Sequence, residues 1–125
     1  MVTQTTIRVP RDAAVFILED SGMRLQWFFE RLSNARYSSN VEDALPLLVS
    51  LDNNAFIFLD HDLHWRDAAG HKPGSGLRVA HFLVRIGFKG RVMIHSVNEQ
   101  GAAEMKRCLP HAELYPFGTF EIEVN

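Results

Sequence analysis

Acidic, imidazole and hydroxyl side chains gather in three short clusters of this chain, each directly after an apolar run. Glu19 and Asp20 follow Ala14 to Leu18, Asp60, His61 and Asp62 follow Ala55 to Leu59, and His95, Ser96 and Asn98 follow Val92 to Ile94. An acidic pair on one strand end and a further carboxylate on a neighbouring one repel unless a cation or a proton is shared between them. A hard divalent ion meets that need: Mg²⁺, or Mn²⁺ in its place, takes oxygen ligands and keeps waters that a phosphate can replace. The expected metal ligands are Glu19, Asp20 and Asp60, and the expected ligand is a small phosphorylated molecule held by His61, Ser96 and Asn98. Asp60 or Asp62 would act as nucleophile or as base for water, and His95, of a type that titrates near neutrality, would protonate the leaving oxygen. If the strand continues past Asp60, Asp62 faces the same side and His61 turns away.

The same residues have blander uses. Asp20 would cap the following helix, Asp62 would stabilise a turn, and Ser96 to Glu99, reading S-V-N-E, fits a capping box. Capping and phosphate binding are compatible, since a helix N-terminus offers backbone N–H groups to an anion. His61, His64 and His71 lie close in sequence, but no Cys pair or H-E-x-x-H spacing supports zinc. His81 falls on an apolar helix face and reads as a core residue. Gly74, Ser75 and Gly76 precede a helix without forming a Walker or G-x-G-x-x-G motif, no G-x-S-x-G elbow exists, and Cys108 has no evident partner.

The elements that must position these clusters are short. Three runs, Ala14 to Leu18, Ala55 to Leu59 and Val92 to Ile94, are apolar on both faces, as in a parallel sheet covered on both sides. Weaker strands are expected at Ala35 to Ser38 and Glu113 to Phe117. Helical stripes fall at Leu25/Phe28/Phe29/Leu32, Val41/Ala44/Leu45/Leu48, Leu77/Ala80/His81/Val84 and Ala102/Met105/Lys106/Leu109, with Pro110 as a stop. Pro46 implies that the second helix starts near Asp43 or Ala44, or that it kinks. This alternation predicts an α/β fold with right-handed crossovers, and open sheets of that kind bind ligands at the carboxyl ends of their strands. Phe120, Ile122 and Val124 alternate with glutamates as in a strand, which would pair with the segment around Ile7 and Val9 or with a second copy in a homodimer.

A chain of 125 residues with 46% apolar side chains has material for one packed domain, here 1–125 with a core of about 13–118. Its net charge of −2 lacks the basic excess of a non-specific nucleic-acid coat. The longest apolar run, Ala13 to Leu18, is six residues, far short of a membrane span, and no signal pattern opens the chain, so a cytoplasmic protein is expected.

The acidic pair Glu19/Asp20, Asp60 and Ser96 at successive strand ends, with Pro116-Phe117 after the last, resemble a response-regulator receiver domain. More closely, L-D-H-D-L at 59–63, I-H-S-V-N at 94–98 and G-A-A-E-M at 101–105 resemble the cyclic-phosphate processing receiver domain family, over Val15 to about Phe117. The resemblance implies a flavodoxin-like, receiver-like three-layer sandwich around a central, mostly parallel five-stranded sheet, its last helix replaced by a short strand. It also implies a metal-dependent phosphoesterase or phosphate-end processing activity on cyclic phosphates or cyclic nucleotides. The alternative is a non-enzymatic signalling domain that accepts phosphate on Asp60 or binds a phosphorylated ligand. Receivers carry a phosphoryl-contacting lysine where this chain has Tyr115, which argues against ordinary phosphorelay. Most of the 125 residues would be used by the fold, which favours a self-contained site.

Overall fold

The computed structural model describes residues 4–63 and 75–125. Its elements run β1 (Thr5–Val9), β2 (Val15–Leu18), α1 (Gly22–Arg31), β3 (Arg36–Ser38), α2 (Val41–Val49), β4 (Phe56–Leu59), α3 (Gly76–Arg85), β5 (Arg91–Ile94), α4 (Glu99–Cys108), β6 (Glu113–Leu114) and β7 (Phe120–Val124). Five strands form one parallel sheet in the order β3-β2-β4-β5-β6. The three apolar runs are its three central strands. The order reverses direction beside β2, so a crevice opens at the carboxyl ends of β2 and β4.

Side-chain alternation divides the interior in two. Phe16, Leu18, Ile57, Leu59, Val92 and Ile94 face α2, α3 and α4, while Ile17, Phe56, Phe58 and Met93 face Phe28 and Leu32 at α1 and Phe120 and Ile122 of β7. The second layer is completed by a small sheet in which β1 and β7 pair in parallel, Ile7 opposite Ile122. That ribbon stands where a last helix would otherwise cover the sheet, and the strand expected at Phe120 to Val124 pairs with the N-terminal segment. Phe120 stacks on Phe58 and meets Trp27 edge-on, and Arg31 reaches across to Glu121. At the far edge Arg91 binds Glu113 through two hydrogen bonds of 2.9 and 2.7 Å, and Tyr115 O–H donates to the same carboxylate.

Three local expectations are corrected. In α3 the buried stripe is Gly76, Val79, Ala80 and Leu83, one residue out of step with the Leu77/Ala80/His81/Val84 pattern, and His81 is exposed with its Nδ1 3.3 Å from Cys108 Sγ. The cause is the seating of Gly76, whose N–H donates to His61 O and whose missing Cβ would lie 1.9 Å from Asp60 O. Only a glycine lets the helix start that close to the strand end. In α2 the helix starts at Val41, capped by Asn40 Oδ1, ahead of the Asp43 or Ala44 start, and keeps Pro46 inside it as the other alternative required. At α4 the cap is Asn98, whose Oδ1 accepts from Gly101 N–H, while Ser96 Oγ, two residues before the cap, accepts from Asn98 N–H.

Gly76→Ala forces the Asp60 carbonyl to move, with an expected loss of about 1–3 kcal/mol in urea denaturation. Gly22→Ala, where a Cβ meets nothing within 4 Å, is neutral or stabilising by up to about 1 kcal/mol. Equal responses at the two glycines would contradict the close approach.

Candidate functional site

Leu18, Leu59 and Ile94 are in register across β2, β4 and β5, so the residues that follow them, Glu19, Asp60 and His95, emerge side by side. Backbone bonds extend the ladder by one step, Asp60 N–H to Leu18 O and His95 N–H to Leu59 O. All three side chains continue the face of Ile17, Phe58 and Met93 and are almost wholly buried against α1.

Burying two carboxylates together is costly unless each is compensated. Glu19 is well supplied: Oε2 accepts the N–H groups of Asp20 and Ser21, and Oε1 lies 2.9 Å from His95 Nε2. Burial works to raise its pKa, yet the His95 hydrogen bond and charge, with smaller help from Ser21 and Arg24, hold it below the usual value. Glu19 is therefore ionised, and His95 Nε2 carries the hydrogen between them. His95 Nδ1 has no partner among the described residues, so the ring is oriented by its bond to Glu19 and by edge-on packing against Phe28. Asp60 is under-supplied. Its Oδ1 accepts His61 N–H, but burial pushes the carboxyl up to about 6 against the pull of His95, and the charge of Glu19 adds to the rise.

After Asp60 the chain turns His61 to the other face. His61 lies against Gly101 at the start of α4, where a Cβ would fall 2.5 Å from the ring. Its Nδ1 is 2.6 Å from Asp62 Oδ1, and Asp62 also accepts from Asn98 Nδ2 at 3.1 and 3.3 Å. Asp62 pairs with Ser75 in an isolated antiparallel bridge. Asp60 and Asp62 thus have different surroundings: the chain turns after Asp60, and the shared strand face expected of them is not formed.

Above Asp60 lies a cavity of about 230 Å³ lined by Glu19, Asp20, Ser21, Met23, Arg24, Asp60, Asp62, Ser96 and Val97. Of the residues expected to act, Glu19, Asp20, Asp60, Asp62 and Ser96 line it together, whereas His61, His95 and Asn98 stand behind them. Arg24 and Ser21 were not foreseen. Ser21, not Asp20, caps α1, its Oγ accepting from Arg24 N–H. A larger cavity of about 350 Å³ at the opposite end of β2, around Arg11, Arg31 and Asn34, has no carboxylate or imidazole in its lining among the described residues.

A family model described as the cyclic-phosphate processing receiver domain matches residues 18–111, from the end of β2 through α4. The chain belongs to that family. No curated protein matches the chain significantly. The receiver domain identified in this way keeps the five-stranded core and puts the family's acidic strand ends at one pocket. Receivers characteristically hold Mg²⁺ at such residues, and the donor set here fits a divalent cation. Glu19, Asp20 and Asp60 bring carboxylate oxygens to one cavity, and Asp60 Oδ2 makes no hydrogen bond among the described residues. A buried carboxyl with an open oxygen beside an ionised one is short of positive charge. His64 and His71, the other members of the zinc reading, lie outside the described residues. No described helix is long and apolar enough to cross a membrane.

Because the folded pKa of Asp60 lies above its unfolded value, the folded state binds the extra proton between about pH 4 and 6 and loses stability as pH rises through that window. Asp60→Asn removes the penalty. It should stabilise the domain at pH 7.5 by at most about 3 kcal/mol, with the gain vanishing below about pH 4, in denaturant titrations at both pH values. A gain independent of pH would contradict the assignment.

Proposed function

We propose that this receiver-like domain is a metal-dependent phosphoesterase that opens cyclic phosphate esters, with cyclic nucleotides as the substrate class. The observation that carries the reading is the buried Asp60 carboxyl, pushed up to about 6 beside an ionised Glu19 at the floor of a polar pocket. Two buried carboxyls in that state are short of positive charge, which a divalent cation supplies, and perturbed carboxyls in clefts mark functional sites. Glu19, Asp20 and Asp60 would hold Mg²⁺ or Mn²⁺, which when bound withdraws charge from the phosphoryl oxygens.

The chain's own groups then divide the work. Asp60 takes a proton from water as the water oxygen bonds to phosphorus, and returns it to the ester oxygen as the ring P–O bond breaks. Ser96 Oγ, on the pocket wall, contacts a phosphate oxygen. Asp62, tied to His61 and Asn98, fixes the wall between β4 and α4 and is an orienting group. His95, fully buried with Nε2 on Glu19, acts through that carboxylate, so the donation to the leaving oxygen passes to Asp60 in place of the His95 role read from sequence. Asn98 likewise acts through Asp62 and the α4 cap.

The second reading, phosphate acceptance on Asp60 in signalling, is favoured by the receiver family itself. Tyr115 stands where receivers have their lysine, and its hydroxyl is turned to Glu113, away from the pocket. The deciding assay is hydrolysis of 2',3'-cyclic nucleotides and cyclic dinucleotides with Mg²⁺ or Mn²⁺. Turnover is expected in the wild type and should fall by at least about 100-fold in Asp60→Asn, with a smaller loss in Asp62→Asn. No turnover across the panel, together with acetyl phosphate labelling lost in Asp60→Ala, would replace the enzyme by the signalling reading.

A further inference from the structure

Arg24 is a cation placed against a local rule. It sits in the first turn of α1, where the helix dipole favours negative charge and no acidic residue is present. Its guanidinium leans over the pocket floor, with an amino nitrogen 3.7 Å from Glu19 Oε1 and 3.9 Å from Asp60 Oδ2, and its central carbon 5.2 Å from the centre of the Phe117 ring. Those separations make ion pairs but not hydrogen bonds. Among the described residues the guanidinium donates no hydrogen bond, although its side chain is only 24% exposed. A partly buried planar fork of donors that ion-pairs with two carboxylates yet donates no hydrogen bond among the described residues matches two oxygens carried on one phosphorus.

Two further features describe what that phosphorus carries. Met23 and Val97, contributed by α1 and by the loop after β5, line the same cavity and are 75% and 58% exposed. One exposed apolar side chain is ordinary, but two on the lip of a polar pocket give it an apolar rim. Among the described residues the lining also holds four acidic side chains, Glu19, Asp20, Asp60 and Asp62, against one cation, Arg24. A dianion meets more repulsion there than a monoanion does.

We infer that Arg24 binds the two non-bridging oxygens of the ligand's phosphate and that Met23 and Val97 receive the apolar face of the esterified group. The pocket thereby selects a singly charged phosphodiester with an aromatic or apolar moiety over inorganic phosphate. This rests on the phosphoesterase reading only in taking the Asp60 pocket as the entry point.

The test is calorimetric binding of 2',3'-cyclic AMP and of inorganic phosphate, with Mg²⁺, in an Asp60→Asn background that stops turnover. Adding Arg24→Ala should weaken cyclic AMP binding at least about tenfold, the loss of a charge-assisted pair of bonds, and Arg24→Lys should recover part of it. Met23→Ser with Val97→Ser should weaken cyclic AMP and leave inorganic phosphate unchanged. Thermal midpoints of the variants check that each one folds, and Arg24→Lys keeps the charge if the alanine variant does not. Cyclic AMP binding unchanged within about twofold in both Arg24 variants, inorganic phosphate bound as tightly as the ester, or no binding by the parent would each overturn the inference. Binding that depends on Arg24 in a protein whose wild type hydrolyses nothing would instead overturn the phosphoesterase reading and leave the inference standing.

Discussion

Two carboxylates side by side at adjacent strand ends, under the weight of α1, are the constraint that organises this molecule. Parallel register puts Glu19 and Asp60 next to each other whatever their chemistry, and the burial of both leaves little solvent to share their charge. The protein compensates one and leaves the other short. Glu19 receives two backbone N–H groups and His95, while Asp60 receives one N–H and a distant guanidinium. The asymmetry separates two carboxyls that would otherwise titrate alike, and it is how environments assign unlike roles to like groups.

The fold supplies the conditions for that asymmetry from several directions. The β1–β7 ribbon, with Phe120 against Phe58 and Trp27, seals the α1 side of the sheet and keeps the dielectric low around His95 and Glu19. On the other face Gly76 and Gly101 let α3 and α4 approach the Asp60 carbonyl and the His61 ring more closely than any other residue allows. Those two contacts set the turn after β4, and with it the separate settings of Asp60 and Asp62.

Much of this was legible in the residue order. Runs apolar on both faces are the signature of central parallel strands, so β2, β4 and β5 and the polar clusters at their ends could be read directly, and D-H-D with H-S-V-N pointed to the family. What was hidden is set by long-range packing. The α3 stripe shifted by one residue because Gly76 had to reach the Asp60 carbonyl, a contact with no periodic signal. Asn98 took the cap from Ser96 because its side chain also serves Asp62. Arg24 carries no signal of its own in the residue order, and only the placement of α1 over the strand ends brings it to the pocket. The pairing of β1 with β7 joins residues 115 apart, such as Thr5 and Phe120, and a period-two pattern cannot name its partner.

The account stands on one place in the molecule, the cavity above Asp60, being where phosphate and cation meet. A crystal structure of the Asp60→Asn protein soaked with Mn²⁺ and a 2',3'-cyclic nucleotide addresses this directly. Anomalous density beside Asp20 and residue 60, with the phosphate between Arg24 and Ser96, is the result the account predicts. Ligand density in the cavity around Arg11 and Asn34, with the Asp60 pocket holding neither metal nor phosphate, would contradict it.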